Sequence, residues 1–159
     1  MNMTDHLPPT SRRVESHTSP RLNQQIRERT DAEVMELERA EPHRINARLR
    51  ELDREWDIER LLQANASTVV LIGLLLAIQV DRRFLLLPMA VFSFFAQHAL
   101  QGWCPPIPIF RRLGVRTMRE IERERYAIKA LRGDFDGVPR RGEAPSNERV
   151  RAALAAVDV

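Results

Sequence analysis

Forty consecutive residues, 64–103, hold only three charged side chains, and those three, Asp81, Arg82 and Arg83, are adjacent. They divide two apolar segments of twenty residues, Leu61–Val80 and Phe84–Trp103. At ~1.5 Å per helical residue each segment reaches ~30 Å, the thickness of a bilayer's hydrocarbon core. From Val69 to Val80 nine residues are Val, Leu or Ile, which favours insertion by about 3–5 kcal/mol. Nine residues of the second segment are Phe, Leu or Val. Pro88 falls one turn into that segment, where a missing N–H costs least. Trp103 at its end suits an interfacial anchor, and Arg82 and Arg83 can snorkel to headgroups. The competing arrangement is a buried helical hairpin in a soluble all-α domain, but the flanking segments offer apolar stripes too thin to cover two helices that are apolar all round. The expected fold is therefore an all-α membrane protein, a two-helix transmembrane hairpin over 61–103 with amphipathic helical arms and disordered termini.

The arms are charged and unequal. Residues 1–63 carry 11 Arg against 13 carboxylates, and residues 104–159 carry 12 basic residues against 8 carboxylates. All basic residues but Lys129 are arginines, so the excess cannot be titrated away. Acids are interleaved throughout, which suits anionic lipid headgroups and argues against a nucleic-acid partner. Arg44, Arg48, Arg50, Arg54 and Arg60 precede the first apolar segment; Arg111, Arg112, Arg116, Arg119, Arg123 and Arg125 follow the second. The positive-inside rule then places both arms in the cytoplasm and the Asp81–Arg83 turn outside. The expected location is the bacterial inner membrane, crossed twice.

Residues 1–29 contain three prolines and no apolar run, the pattern of a disordered tail. Arg12-Arg13 has no apolar stretch behind it, so a twin-arginine signal is not expected. Residues 30–60 form the first arm. Thr30 with Glu33 suits a capping box, Pro42 interrupts or opens a helix, and Ile45, Leu49, Leu52 and Trp56 mark a narrow stripe along Ile45–Leu62. That stripe fits a membrane surface, a partner helix or a solvated connector, and the three remain open. Residues 104–133 form the second arm. Pro105-Pro106-Ile107-Pro108 should stop the helix and impose an extended, apolar exit with Ile109 and Phe110. Thr117 with Glu120 is a second capping box, and Gly133 suits a helix C-terminus. Residues 134–159 read as a Gly/Pro-rich linker to 148, then a short helix over 149–157.

Cys104 is the single cysteine, which excludes an intramolecular disulfide and a cysteine-rich zinc site. Two readings stand: a reactive thiol for sulfur or redox handling, favoured by nearby Arg111 and Arg112, and a small packing residue at a helix end. Gln97, His98 and Gln101 lie in the last turns of the second segment, with His98 expected as a hydrogen-bonding packing residue. His98 with Cys104 supplies too few ligands for zinc, and no metal or cofactor is expected. Ala66, Val70, Gly73 and Ala77 form a small-residue line, which Ser93 and Ala96 could face from the second segment. The Gly73-xxx-Ala77 spacing lets backbones approach closely and serves hairpin closure, self-association or both.

Asp57-Ile58-Glu59-Arg60, then Gly102-Trp103-Cys104-Pro105, then Leu113-Gly114 resemble the lead-in, Gly-aromatic-Cys-Pro exit and Leu-Gly ending of the YgaP-like two-helix transmembrane domain family. The resemblance covers residues 57–117, with Asp57, Arg60, Gly102, Trp103, Cys104, Pro105, Leu113 and Gly114 as its motif positions. It implies a helical hairpin of the bacterial inner membrane that forms dimers, sometimes placed after a rhodanese sulfurtransferase domain. The 63 N-terminal residues are too short and too charged for a rhodanese fold and hold no cysteine. The expectation is a non-enzymatic membrane anchor that self-associates and offers its arms to a cytoplasmic partner. The alternatives are thiol chemistry at Cys104 and, least favoured, an oligomeric channel subunit lined by Gln97, His98 and Gln101.

Overall fold

The structure, a computed structural model, describes residues 9–157. Over them the chain is all-helical and contains no β-strand. After a 3₁₀ turn at Thr10–Arg12 come α1 (Arg13–Ser16), α2 (Pro20–Glu38), α3 (Pro42–Arg54), α4 (Ile58–Gln79), α5 (Leu86–Gln101), α6 (Ile107–Arg112), α7 (Met118–Arg132) and α8 (Ser146–Val157). The helices build two compact units, one from described residues up to Arg29 with Arg54–Ile121, the other from Thr30–Asp53 with the described residues from Glu122 onward.

The first unit is organised by α4 and α5, which run antiparallel. Asp57 caps α4, its carboxylate accepting the Arg60 N–H at 3.0 Å, so the lead-in acid has a local task. Val80 and Asp81 end α4, Asp81 accepts the Arg83 N–H at 2.7 Å, and a 3₁₀ turn, Arg82–Leu85, leads into α5. The helices touch closely at Gly73: a Cβ there would lie 2.7 Å from Pro88 Cδ and 3.0 Å from its Cγ. Gly73 therefore meets Pro88 rather than Ser93 and Ala96, both of which are exposed. The proline ring is stiff, so Gly73→Leu is expected to push the helices apart at about 1–3 kcal/mol, lowering the melting temperature of the detergent-solubilised chain. An unchanged melt would remove this contact from the fold.

α4, and α5 taken with the 3₁₀ turn before it as Arg82–Gln101, are long and apolar enough to cross a membrane, and of their apolar eighteen-residue windows only 17% and 11% is buried. Leu71, Ile78, Leu86, Met89 and Phe92 are all more than half exposed. Most of the apolar surface of this pair is therefore uncovered within the chain.

Five sequence expectations are corrected. Over residues 9–29 the chain is not disordered: Val14 and Ile26 are buried, and α2 begins at Pro20, where proline in a first helical turn forfeits no bond. Residues 1–8 lie outside the described residues. Thr30 lies inside α2 and is buried, so it opens no helix. The Ile45–Leu62 stripe is broken at Glu55–Asp57, because Asp57 starts a new helix there. The proline-rich exit is not extended: Pro106 and Pro108 fall at the cap and first turn of α6, and Cys104 C=O accepts the Ile107 N–H at 3.0 Å. Prolines that forbid a helix interior are tolerated where N–H groups have no helical partner anyway. The final helix also starts at Ser146 instead of 149.

The second unit is held by charge as much as by apolar contact. Arg48 donates to the fully buried Glu124 at 2.7 Å, Arg125 pairs with Asp53, and Lys129 donates to the Val157 carbonyl at 3.0 Å. Leu49, Leu52 and Ile128 supply its buried apolar side chains.

Candidate functional site at the base of the apolar helix pair

The first turn of α4, the last turns of α5 and the short α1 converge. Ile58 is fully buried, and its N–H donates to the Arg116 carbonyl at 2.9 Å. The next residue, Glu59, accepts from Arg13 Nη2 at 3.0 Å through one carboxylate oxygen. Its other oxygen lies 2.7 Å from His98 Nε2. His98 is 2% exposed, and its Nδ1 has no partner among the described residues. Glu59 thus ties α5 and the N-terminal segment to the foot of α4. His98 packs and hydrogen-bonds, at 6.4 Å between ring centroids from Phe95.

Gly102 explains the spacing of the exit motif. Its φ of +81° ends α5 in the left-handed conformation, its N–H bonding to the His98 carbonyl at 2.8 Å, a geometry only glycine adopts without strain. A Cβ there would also lie 2.5 Å from Arg13 Cβ and 2.7 Å from the Arg13 carbonyl carbon. Trp103 meets Phe94 edge-on at 6.4 Å. Cys104 is buried in one cluster with Val14, Ile58, Leu62 and Ile107. Burial pushes its thiol up, away from the thiolate, and among the described residues it makes no hydrogen bond to Glu59 or His98. It also lines, with Ala66, Val69, Phe94 and Pro105, an apolar cleft of about 190 Å³.

Below this lies a second buried polar centre. Arg111 is 1% exposed and donates to both Glu120 oxygens at 2.7 and 2.8 Å, to Asn23 Oδ1 at 2.9 Å and to the Val115 carbonyl at 3.0 Å. Glu120 also accepts the Thr117 N–H at 2.8 Å while Thr117 Oγ1 accepts the Glu120 N–H at 3.3 Å, a reciprocal capping box. Burial alone would raise the Glu120 carboxyl. Arg111 and the Thr117 N–H overcome it and hold the group below the usual carboxylate range.

Of the residues singled out from sequence, Asp57, Gly102, Trp103 and Cys104 gather at this base. Pro105 lines the apolar cleft beside Cys104. Arg60 stacks over the Trp56 ring at 4.2 Å. Leu113 is exposed and Gly114 turns the chain at φ +83°. Ala66 and Ala77 are half-buried along α4. Sequence reasoning missed two pairings, Arg13 with Glu59 and Arg111 with Glu120. Glu59 carried a signal, being a carboxylate two residues ahead of an apolar span; Arg13 carried none. Among the described residues no group of three or more potential metal ligands occurs. No protein-family model matches this chain, and neither does any curated protein or solved structure.

Proposed function

We propose that this chain is a non-enzymatic anchor of the bacterial cytoplasmic membrane, with α4 and α5 crossing the bilayer as a hairpin and the helical arms in the cytoplasm. The observation that carries this reading is the exposure of the pair: two helices of spanning length with 17% and 11% of their apolar windows buried. A monomer in water would leave that surface wet, far beyond the few hundred Å² a soluble protein tolerates. Arginine placement supports the orientation, with Arg82 and Arg83 alone in the turn and the remaining arginines in the arms. The folded arms support a role in presenting a surface to a cytoplasmic partner. Since Gly73 is spent on Pro88, a second copy would approach through Ser93 and Ala96 of α5. The likeness of residues 57–117 to the YgaP-like hairpin favours the same reading, the hairpin being kept without a sulfurtransferase. Thiol chemistry at Cys104 is not proposed, because burial opposes the thiolate it would need.

The test is alkaline carbonate extraction of membranes from cells expressing the whole chain. Retention in the pellet and release only by detergent is expected. Quantitative release by carbonate, as a monodisperse soluble species, would overturn the reading.

A further inference from the structure

The first unit holds a cleft of about 470 Å³ between the start of α2 and α6. Four basic residues line it, His17, Arg21, Arg111 and Arg112, and no acidic residue does. In a chain that interleaves acids with its arginines almost everywhere, this is an unusual run of one sign. The amino end of α2 opens into the same cleft through Ser19 and Arg21, and its first turn carries no acid. Pro20 has no N–H and the Leu22 N–H is taken by Ser19 Oγ at 3.4 Å, so it is the helix dipole that favours an anion there. Arg111, fully buried in the wall, is held by Glu120 and Asn23, so the uncompensated charge at the cleft comes from Arg21 and Arg112.

Two further residues indicate where the anion comes from. Ile109 and Leu113 flank Arg112 and are 59% and 74% exposed. Apolar side chains beside a basic cleft, eight and twelve residues past α5, fit the boundary between headgroups and acyl chains. We propose that this cleft is a site for the phosphate of an anionic phospholipid headgroup. Arg21 and Arg112 grip it, the α2 amino end assists, and Ile109 and Leu113 rest among the acyl chains. The proposal rests on the membrane reading above. It goes further by naming a lipid class and the residues that select it.

The experiment uses the whole chain in dodecylmaltoside, titrated with dihexanoyl-phosphatidylglycerol, dihexanoyl-phosphatidylcholine and inorganic phosphate by calorimetry. The comparison variant is Arg21→Gln with Arg112→Gln. Among the described residues neither arginine makes an ion pair, so the fold should survive, with an unchanged circular dichroism spectrum as the check. Saturable binding of the phosphatidylglycerol is expected, with much weaker binding of the zwitterionic lipid. The double variant should bind about thirtyfold more weakly, roughly fivefold per cation removed. Equal affinity in wild type and variant would overturn the site. Inorganic phosphate binding as tightly as the phosphatidylglycerol would overturn the lipid as its source. These soluble lipids need no bilayer, so a chain released by carbonate can still give a binding curve. A chain retained by carbonate that binds no lipid would overturn the site alone.

Discussion

Replacing Arg111 with alanine is expected to destabilise the chain by about 3–5 kcal/mol, since removing one partner of a buried pair strands the other. Glu120 would keep its burial and lose both guanidinium hydrogen bonds, and Asn23 and the Val115 carbonyl would lose theirs. Arg111→Lys should recover only part, because an ammonium cannot reproduce the two-pronged contact. The double variant Arg111→Met with Glu120→Met should be far milder than Arg111→Ala, as no charge is then stranded. Denaturant unfolding in detergent, followed by tryptophan fluorescence, measures all three. The same pair sets an acid dependence. Glu120 has a native pKa below its unfolded one, so its contribution is fully present above the unfolded value, about 4.3. It is lost as pH falls through the native value. That slope should disappear in Glu120→Gln. A loss under 1 kcal/mol in Arg111→Ala would contradict the central role given to this pair.

The second large effect is expected at Gly102. A valine there must adopt φ +81°, at about 1–2 kcal/mol, and its Cβ would strike the Arg13 backbone. The N-terminal segment must move away, releasing Arg13 from Glu59 and Val14 from its cluster. Losing the burial of one valine adds about 1.5–3 kcal/mol, for a total of about 2.5–5 kcal/mol. The movement has its own readout, because Val14 covers the cluster that buries Cys104. Maleimide labelling of Cys104 should be slow in the wild type and rise at least tenfold in Gly102→Val. Equal labelling rates would show that the segment does not cover the thiol.

What could be read from the residues follows from which forces are local. The apolar segments announce themselves by composition over twenty residues, and the observed helices, Ile58–Gln79 and Leu86–Gln101, fall within a few residues of the expected bounds. The Thr117–Glu120 box and the turn at Gly133 are likewise local, since their hydrogen bonds and left-handed φ involve near neighbours. The N-terminal helix was not legible, because its apolar residues Leu22 and Ile26 are sparse and its partners are distant in sequence. Asn23, for instance, meets Arg111 across 88 residues. The latch at Glu59 depends on residues 46 and 39 positions away, and no spacing rule connects them. Thr30 shows the converse: a capping pattern satisfied in sequence was overridden because α2 had already started at Pro20.

The account turns on where the residues between α4 and α5 lie relative to a bilayer. Arg82→Cys, made in a Cys104→Ala background so that it carries the only thiol, can be labelled on intact bacterial cells with a membrane-impermeant maleimide. Ser146→Cys in the same background reports the arm. The account predicts labelling of the Arg82 position without permeabilisation and of the Ser146 position only after it. Labelling of both positions only after lysis would contradict it.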